Sequence, residues 1–185
     1  MKLPLLASIP LMYIACGKEG KPDPPTLVEV HPGCIVINEL VASGSHQMNE
    51  FGEQADWFEL YAPGNDLLLN GGKWFVTDDL DHEPLKYELP EVMIPGEGFL
   101  VIWCDGENTD QEGIHTNFRL SGNDGTVALV HFDGHGIMVV DEIRIQDTAR
   151  PDVSTGRAPD GTDTWVPLAP PTPGGPNEAV GSLNN

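Results

Sequence analysis

Turn-forming residues interrupt this chain at short intervals, and their spacing constrains the fold more than any other feature. Clusters of Gly, Pro and Asn recur at residues 63–65, 70–72, 95–98, 122–125 and 133–134. Gly and Asn accept positive φ and Pro presets φ, so each cluster favours a tight turn. No window of about a dozen residues carries a helical apolar stripe free of Gly and Pro. The chain must therefore fold mainly from short strands.

The segments between the turns have the alternating pattern of β-strands. In DWFELY, Phe58 and Leu60 share one face while Trp57, Glu59 and Tyr61 share the other. A single sheet would leave an apolar face in water, so two sheets must cover each other. We predict an all-β antiparallel sandwich with Greek-key connections and about seven to nine strands. The candidate strands are 34–41, 56–62, 73–78, 86–90, 98–104, 126–132, 138–145 and 164–168.

The first fifteen residues have the pattern of a secretory signal peptide. Lys2 precedes an apolar run from Leu3 to Ile14, which is too short to span a bilayer. The following Ala15-Cys16 pair resembles the lipobox of bacterial lipoproteins, in which the Cys is acylated and becomes the mature N-terminus. Tyr13 departs from the aliphatic residue usual there. We expect lipidation at Cys16, and the alternative is a plain signal peptide with an incidental Cys.

The composition then divides the remaining chain into three parts. Residues 16–33 are rich in Pro, Gly and charge, which favours an extended tether. Residues 34–177 contain all the candidate strands and form the predicted domain. Residues 178–185 are predicted to be a flexible tail. A lipid on Cys16 would hold such a domain at the cell envelope, either in the periplasm or at the cell surface.

Several segments within the domain follow the order seen in bacterial lamin tail domains. They are INEL (37–40), DWFELY (56–61), WFVTDD (74–79), IPGEGFLVIWCDG (94–106), HTNFRLSGNDGTVALV (115–130), VDEI (140–143), STGRAPDG (154–161) and PTPGGPN (171–177). The resemblance implies an immunoglobulin-like β-sandwich. It also implies that HTNFRLS, which His115 opens, is a structural segment. No heptad run accompanies the domain, so the filament-forming rod of nuclear lamins is absent from this sequence.

The charge balance restricts the class of partner. The formal net charge is −20, which argues against nucleic acid and against anionic lipid head groups, since both are bound by clustered Lys and Arg. The segment from Glu50 to Glu112 holds 16 of the 29 acidic residues and two Lys. Its two local clusters, Asp78/Asp79/Asp81 and Asp105/Glu107/Asp110/Glu112, could bind calcium, although neither has EF-hand spacing. A solvated acidic surface is the simpler interpretation.

Catalytic patterns are weak. A chain with 29 acidic residues contains carboxylate pairs by chance, so a glycosidase pair has no specific support. The HExxH and Cys-x-x-Cys zinc patterns, the Gly-x-Ser-x-Gly elbow and the phosphate-binding loop are all missing from the sequence. We therefore predict no catalytic residue, no metal ligand and no cofactor.

The charged residues of two motifs have structural interpretations. Glu59 could lie at a sheet edge or pair with Arg119 or Arg144. Ser154–Arg157 is predicted to form a turn into the last strand, with Arg157 as an ion-pair partner at the end of the sandwich.

Cys34 and Cys104 remain as an even pair in an exported protein. They could form a disulfide that closes a loop of about 70 residues, worth on the order of 4 kcal/mol, or remain two thiols.

These observations favour a non-catalytic, exported and lipid-anchored module for binding or display, with an envelope or extracellular protein or a glycan as its partner. A calcium-dependent module that binds a glycan or a protein is the main alternative, and a small hydrolase is a third. The three Trp residues in candidate strands look like core residues, which gives little support to glycan stacking. A fold does not specify a function, so the partner stays open at this point.

Overall fold

The computed structural model of the chain describes residues 30–42, 46–108, 112–145 and 153–178. The predicted signal peptide, lipidated Cys16 and most of the tether and tail lie outside these residues. Within them, no helix has the length and apolar character needed to cross a bilayer.

The described residues form an all-β, immunoglobulin-like sandwich. Its strands are β1 (Val36–Val41), β2 (Asp56–Tyr61), β3 (Leu67–Leu69), β4 (Trp74–Thr77), β5 (Tyr87–Glu88), β6 (Val92–Ile94), β7 (Phe99–Cys104), β8 (Ile114–His115), β9 (Thr126–Phe132), β10 (Ile137–Arg144), β11 (Ser154–Arg157) and β12 (Trp165–Leu168). One sheet has the order β12-β11-β1-β2-β7-β8, and the facing sheet has the order β10-β9-β4-β5. β3 and β6 form a small third sheet.

The two larger sheets enclose the core. Phe58 and Leu60 on β2 pack inward with Ile102 on β7 and Leu129 on β9, and none of the four is exposed. The face of β2 that packs in the core is thus the one that carries Phe58 and Leu60. Trp57 and Glu59 lie on the opposite face of the strand, yet they are also completely buried. The outer face of the six-stranded sheet is therefore covered at its centre.

All eight candidate strands are present, but the predicted total of seven to nine is too low. Twelve strands lie in the described residues, and the four unpredicted ones are only two to four residues long. One of them is β11, so the predicted turn at Ser154–Arg157 is wrong: this segment pairs with β1 and β12. The β7–β8 pair is parallel, an exception to the predicted antiparallel arrangement.

Of the two alternatives for Cys34 and Cys104, the structure has the two thiols and not the disulfide. Val36 opposes Tyr61, and Tyr61 opposes Phe99, so Cys34 lies near the Phe99 end of β7. Cys104 is at the other end of that strand, roughly 17 Å away at the usual strand rise. Disulfides need Cα atoms within about 7 Å. Both residues are free thiols in the structure.

Candidate functional site

A short hairpin projects beside the ends of β2 and β7; we call residues 46–54 the finger. Met48 and Gln54 form an isolated antiparallel bridge that pairs the two arms of the finger. The side-chain oxygen of Asn49 accepts hydrogen bonds from the amides of Phe51 (3.0 Å) and Glu53 (2.9 Å). The Asn49 amide donates to the Glu53 carbonyl at 2.9 Å. An Asn side chain that replaces backbone partners in this way stabilises a tight turn.

His115 on β8 anchors the finger to the sandwich. Its Nε2 lies 2.8 Å from Glu50 Oε1 on the finger, and its Nδ1 lies 2.5 Å from Asp105 Oδ2. The imidazole is completely buried. Gly113 allows this approach, because a Cβ there would lie 2.6 Å from Glu50 Oε1.

The two carboxylates favour the charged form of His115. Burial alone would lower its pKa, but the hydrogen bonds to Glu50 and Asp105 outweigh burial and raise the pKa. Only the imidazolium can donate from both nitrogens. Burial likewise opposes ionisation of Glu50, yet the hydrogen bond to His115 leaves the pKa of this carboxyl lowered. The arrangement is a carboxylate–imidazolium–carboxylate lock.

Two large apolar side chains protrude from the locked finger. Met48 is 61% exposed and Phe51 is 46% exposed. One face of the Phe51 ring packs on His115, with the ring centres 5.3 Å apart. The tip therefore presents apolar surface to solvent on a well-ordered support.

A cleft of about 300 Å³ opens beside the finger. The residues that line it are Glu53, Gln54, Ala55, Asp56, Cys104, Asp105, Glu107 and Arg119. Four of them are acidic. Arg119, the one cation in the lining, donates from Nε to the Asp105 carbonyl at 2.7 Å. The cleft is therefore an acidic surface next to an apolar tip.

The neighbouring Cys104 and His115 do not resemble a nucleophile and its base. A nucleophilic cysteine must be a thiolate. Burial raises the pKa of the Cys104 thiol well above its usual value. Both nitrogens of His115 already contact carboxylates, so neither is available to take a proton from a neighbouring thiol.

A second polar cluster is buried on the outer face of the six-stranded sheet. Glu39 and Glu59 are opposite each other in the β1–β2 register, and neither is exposed. Glu39 accepts from the Ser154 hydroxyl and, at 2.9 Å, from the Thr172 amide. Glu59 accepts from the Gly174 amide at 2.5 Å. The carboxylates thus hold the segment 169–177 against the sheet.

Asn38 extends this cluster to a third acid. Its side-chain nitrogen donates to Asp160 Oδ1 at 2.9 Å, and its oxygen accepts from the Gly161 amide at 3.0 Å. Burial, with help from the nearby carboxylates of Glu39 and Asp160, raises the pKa of Glu59 to about 8, against the opposing hydrogen bond from Gly174. Burial also raises the pKa of Glu39. Both alternatives predicted for Glu59 are wrong: β2 lies between β1 and β7 rather than at a sheet edge, and the carboxyl group accepts from Asn38 and Gly174 rather than pairing with Arg119 or Arg144.

Arg157 joins the two sheets at one end of the sandwich. Its NH2 group lies 3.0 Å from Asp141 Oδ2 on β10, and its Nε donates to the Ile37 carbonyl at 2.8 Å. Asp141 in turn accepts from the Ile37 amide at 2.8 Å. The Trp165 ring stacks on the guanidinium, 4.8 Å from ring centre to Cζ. The predicted ion-pair role of Arg157 is confirmed.

Three residues of the two acidic clusters suggested for calcium have local partners in the structure. Asp78 lies 2.8 Å from Lys86 Nζ, and Asp79 lies 2.8 Å from His82 Nδ1. Asp105 contacts His115, and Asp110 falls outside the described residues. In the part of the chain that the structure describes, no group of three or more His, Cys, Asp or Glu is placed to hold a metal ion.

Comparison with known proteins does not assign the chain to a family: no protein-family model matches it, and no curated protein is significantly similar to it.

Proposed function

We propose that this chain is an exported, lipid-anchored module of lamin-tail type that binds a partner at the bacterial cell envelope and has no catalytic role. The lipid on Cys16 and the tether of residues 17–33 would hold the sandwich near the membrane. Loops on this rigid scaffold would make the contact, as they commonly do in binding modules.

The observation that carries the binding role is the exposed apolar tip of a hydrogen-bonded hairpin. Met48 and Phe51 remain exposed although the backbone between them is ordered by Asn49 and anchored through Glu50. Exposed apolar side chains mark interaction sites, where a partner covers them on binding. Because folding has already fixed the backbone that carries them, less conformational entropy is lost when the partner binds.

The lamin-tail assignment is supported by the buried cluster around Glu39 and Glu59. Four of the segments that carry the resemblance meet there: INEL provides Glu39, DWFELY provides Glu59, STGRAPDG provides Asp160 and PTPGGPN provides Gly174. Hydrogen bonds between them span more than 100 residues of sequence. The motifs therefore act together in folding, which explains their residue types without catalysis.

The anchor is tested by expressing the full chain in bacteria fed an azide-bearing fatty acid. We expect label on the wild-type protein and on Cys34→Ser, and none on Cys16→Ser. Label on Cys16→Ser, or an unlabelled wild-type protein, would contradict the anchor.

The binding role is tested in the same cells with a photo-crosslinking residue placed in turn at Met48, Glu88 and Ile137, three exposed positions on different parts of the surface. We expect a discrete adduct from at least one of them. No adduct from any position would overturn the proposed function.

A further inference from the structure

We propose that the finger and the adjoining cleft form one docking surface, and that its occupant is a basic polypeptide segment carrying an apolar anchor. This inference rests on the proposed binding function and specifies its surface and the chemistry of its partner.

The tip and the cleft are continuous. Gln54 opposes Met48 across the bridge of the finger and also lines the cleft. Glu53, the residue before Gln54, lines the cleft too, and its backbone amide donates to the Asn49 side chain. A segment lying across this region would therefore contact the apolar tip and the acidic wall together.

The negative charge of the cleft favours a positively charged occupant. Glu53 and Glu107 are exposed, and within the described ranges neither carboxylate has an ion-pair partner. Asp105 is paired with His115 and Arg119 contributes one positive charge, but four acidic residues against one Arg leave the lining with an excess of negative charge. The chain as a whole carries −20, which attracts cationic partners over longer range. A second copy of this chain would bring the same sign of charge and is disfavoured.

The volume of the cleft is better suited to a single side chain of a partner than to a separate small molecule. About 300 Å³ lies at the lower end of the range for small-molecule pockets. It accommodates one Lys or Arg side chain from a longer segment, whose charge would meet Glu53 and Glu107. An apolar residue of the same segment would pack on Met48 and Phe51; methionine adapts readily to different partners.

The inference can be tested with the full chain carrying Cys16→Ser and three synthetic peptides of equal length. One alternates Lys and Trp, one alternates Lys and Ser, and one alternates Ser and Trp. We expect the Lys/Trp peptide to bind most tightly in calorimetry, with salt-dependent affinity. Equal affinity of the Lys/Ser peptide would overturn the inference, because it would mean only diffuse attraction to an acidic protein.

Two double variants assign the binding to this surface. We expect M48S/F51S to weaken the Lys/Trp peptide at least tenfold, since apolar anchors dominate binding energy at interfaces. The matched control is Met93→Ser, an exposed Met on β6 that should leave affinity unchanged. E53Q/E107Q should reduce affinity and its salt dependence, whereas E88Q/E91Q, with two exposed Glu elsewhere, should not. Unchanged binding by M48S/F51S would overturn the inference.

The crosslinking experiment separates this inference from the function on which it rests. An adduct from Met48 that basic peptide competes away supports both. An adduct only from Glu88 or Ile137 overturns the docking surface and leaves the binding function standing. The absence of any adduct overturns both.

Discussion

Glu39 and Glu59 stand opposite each other on neighbouring strands, and both carboxyl groups are completely buried. Asp160 is the third acid of the cluster, and its Oδ1 accepts from Asn38. Two facing buried carboxylates cannot both ionise without a large cost, because each lacks water and repels the other. The cluster therefore holds a proton at neutral pH, chiefly on Glu59.

This proton makes stability depend on pH with a defined sign. The pKa of Glu59 is raised from 4.5 to about 8, so its contribution is fully present below pH 4.5 and is lost as the pH rises through 8. We expect Glu59→Gln to become progressively more stable than the wild-type protein between pH 5 and pH 9. The difference in free energy of unfolding should be at most about 5 kcal/mol.

Denaturant titrations at several pH values measure this effect. Gln is uncharged and can still accept from the Gly174 amide, so the variant isolates the charge. Glu88→Gln, at an exposed position on β5, should parallel the wild-type curve. A constant difference between Glu59→Gln and wild type at every pH would contradict the buried proton.

The ion pair between Arg157 and Asp141 should stabilise the fold far more than a surface pair. Arg157 also donates to the backbone of β1 and stacks on Trp165, and these contacts need the planar guanidinium. We expect Arg157→Lys to lower the free energy of unfolding by about 2–3 kcal/mol. Arg144→Lys is the control, because the Arg144–Asp124 pair is largely exposed and should change stability by less than about 0.5 kcal/mol. Equal effects of the two substitutions in a denaturant titration would refute this role.

Gly156 on β11 is required by close packing. A Cβ there would lie 2.6 Å from Leu168 Cδ1 and 2.7 Å from Asn177 Nδ2. We expect Gly156→Ala to cost about 1–3 kcal/mol, since the segment bearing Asn177 would have to move. Gly64→Ala, where nothing lies within 4 Å, should be close to neutral in the same melting experiment. A stable Gly156→Ala protein would show that this segment is not packed against β11.

The thiols provide a direct check on strand register. In the Cys16→Ser chain we expect two free thiols after denaturation without reductant. In the native state Cys34, which is half-buried, should react with a thiol reagent well before Cys104, whose pKa is raised by burial. If the denatured, unreduced sample shows no free thiol, then Cys34 and Cys104 are bridged and the arrangement of β1 and β7 is different.

Alternation of apolar residues was sufficient to predict the long strands, but it did not predict the short strands or the contacts between segments distant in sequence. β3, β5, β6 and β8 have two or three residues each, too few for a period of two to be recognised, and only β5 was predicted within a longer segment. Glu59 occupies a position that alternation assigns to solvent. Its burial depends on segment 169–177, more than 100 residues further along the chain. Contacts over such separations leave no local pattern.

The same limit applies to the finger. The apolar residues Met48 and Phe51 stand out in the sequence only as isolated residues in a loop, and exposed apolar residues are common. The partner of Glu50 is His115, 65 residues away. The resemblance marked His115 as part of a structural segment, but it did not indicate what the side chain holds. Only the fold brings β8, Asp105 and the loop together.

The lock at His115 predicts that order in the finger depends on pH. The pKa of His115 is raised, so its stabilising effect is present below 6.5 and is lost as the pH rises through the folded value. The pKa of Glu50 is lowered, so its contribution is present above 4.5 and is lost as the pH falls through its own folded value. The finger should therefore be most ordered in the mildly acidic to neutral range.

Hydrogen exchange at the Phe51 and Glu53 amides measures this order, because both donate to Asn49 Oδ1. Relative to amides in β9, their protection should decrease as the pH rises above neutrality in the wild-type protein. In His115→Gln the protection should be low at every pH, since an amide cannot supply the charged donor that both carboxylates require. His131→Gln is the control: this imidazole packs on Trp74, away from the finger, and burial lowers its pKa. Unchanged protection in His115→Gln would show that Asn49 alone orders the finger.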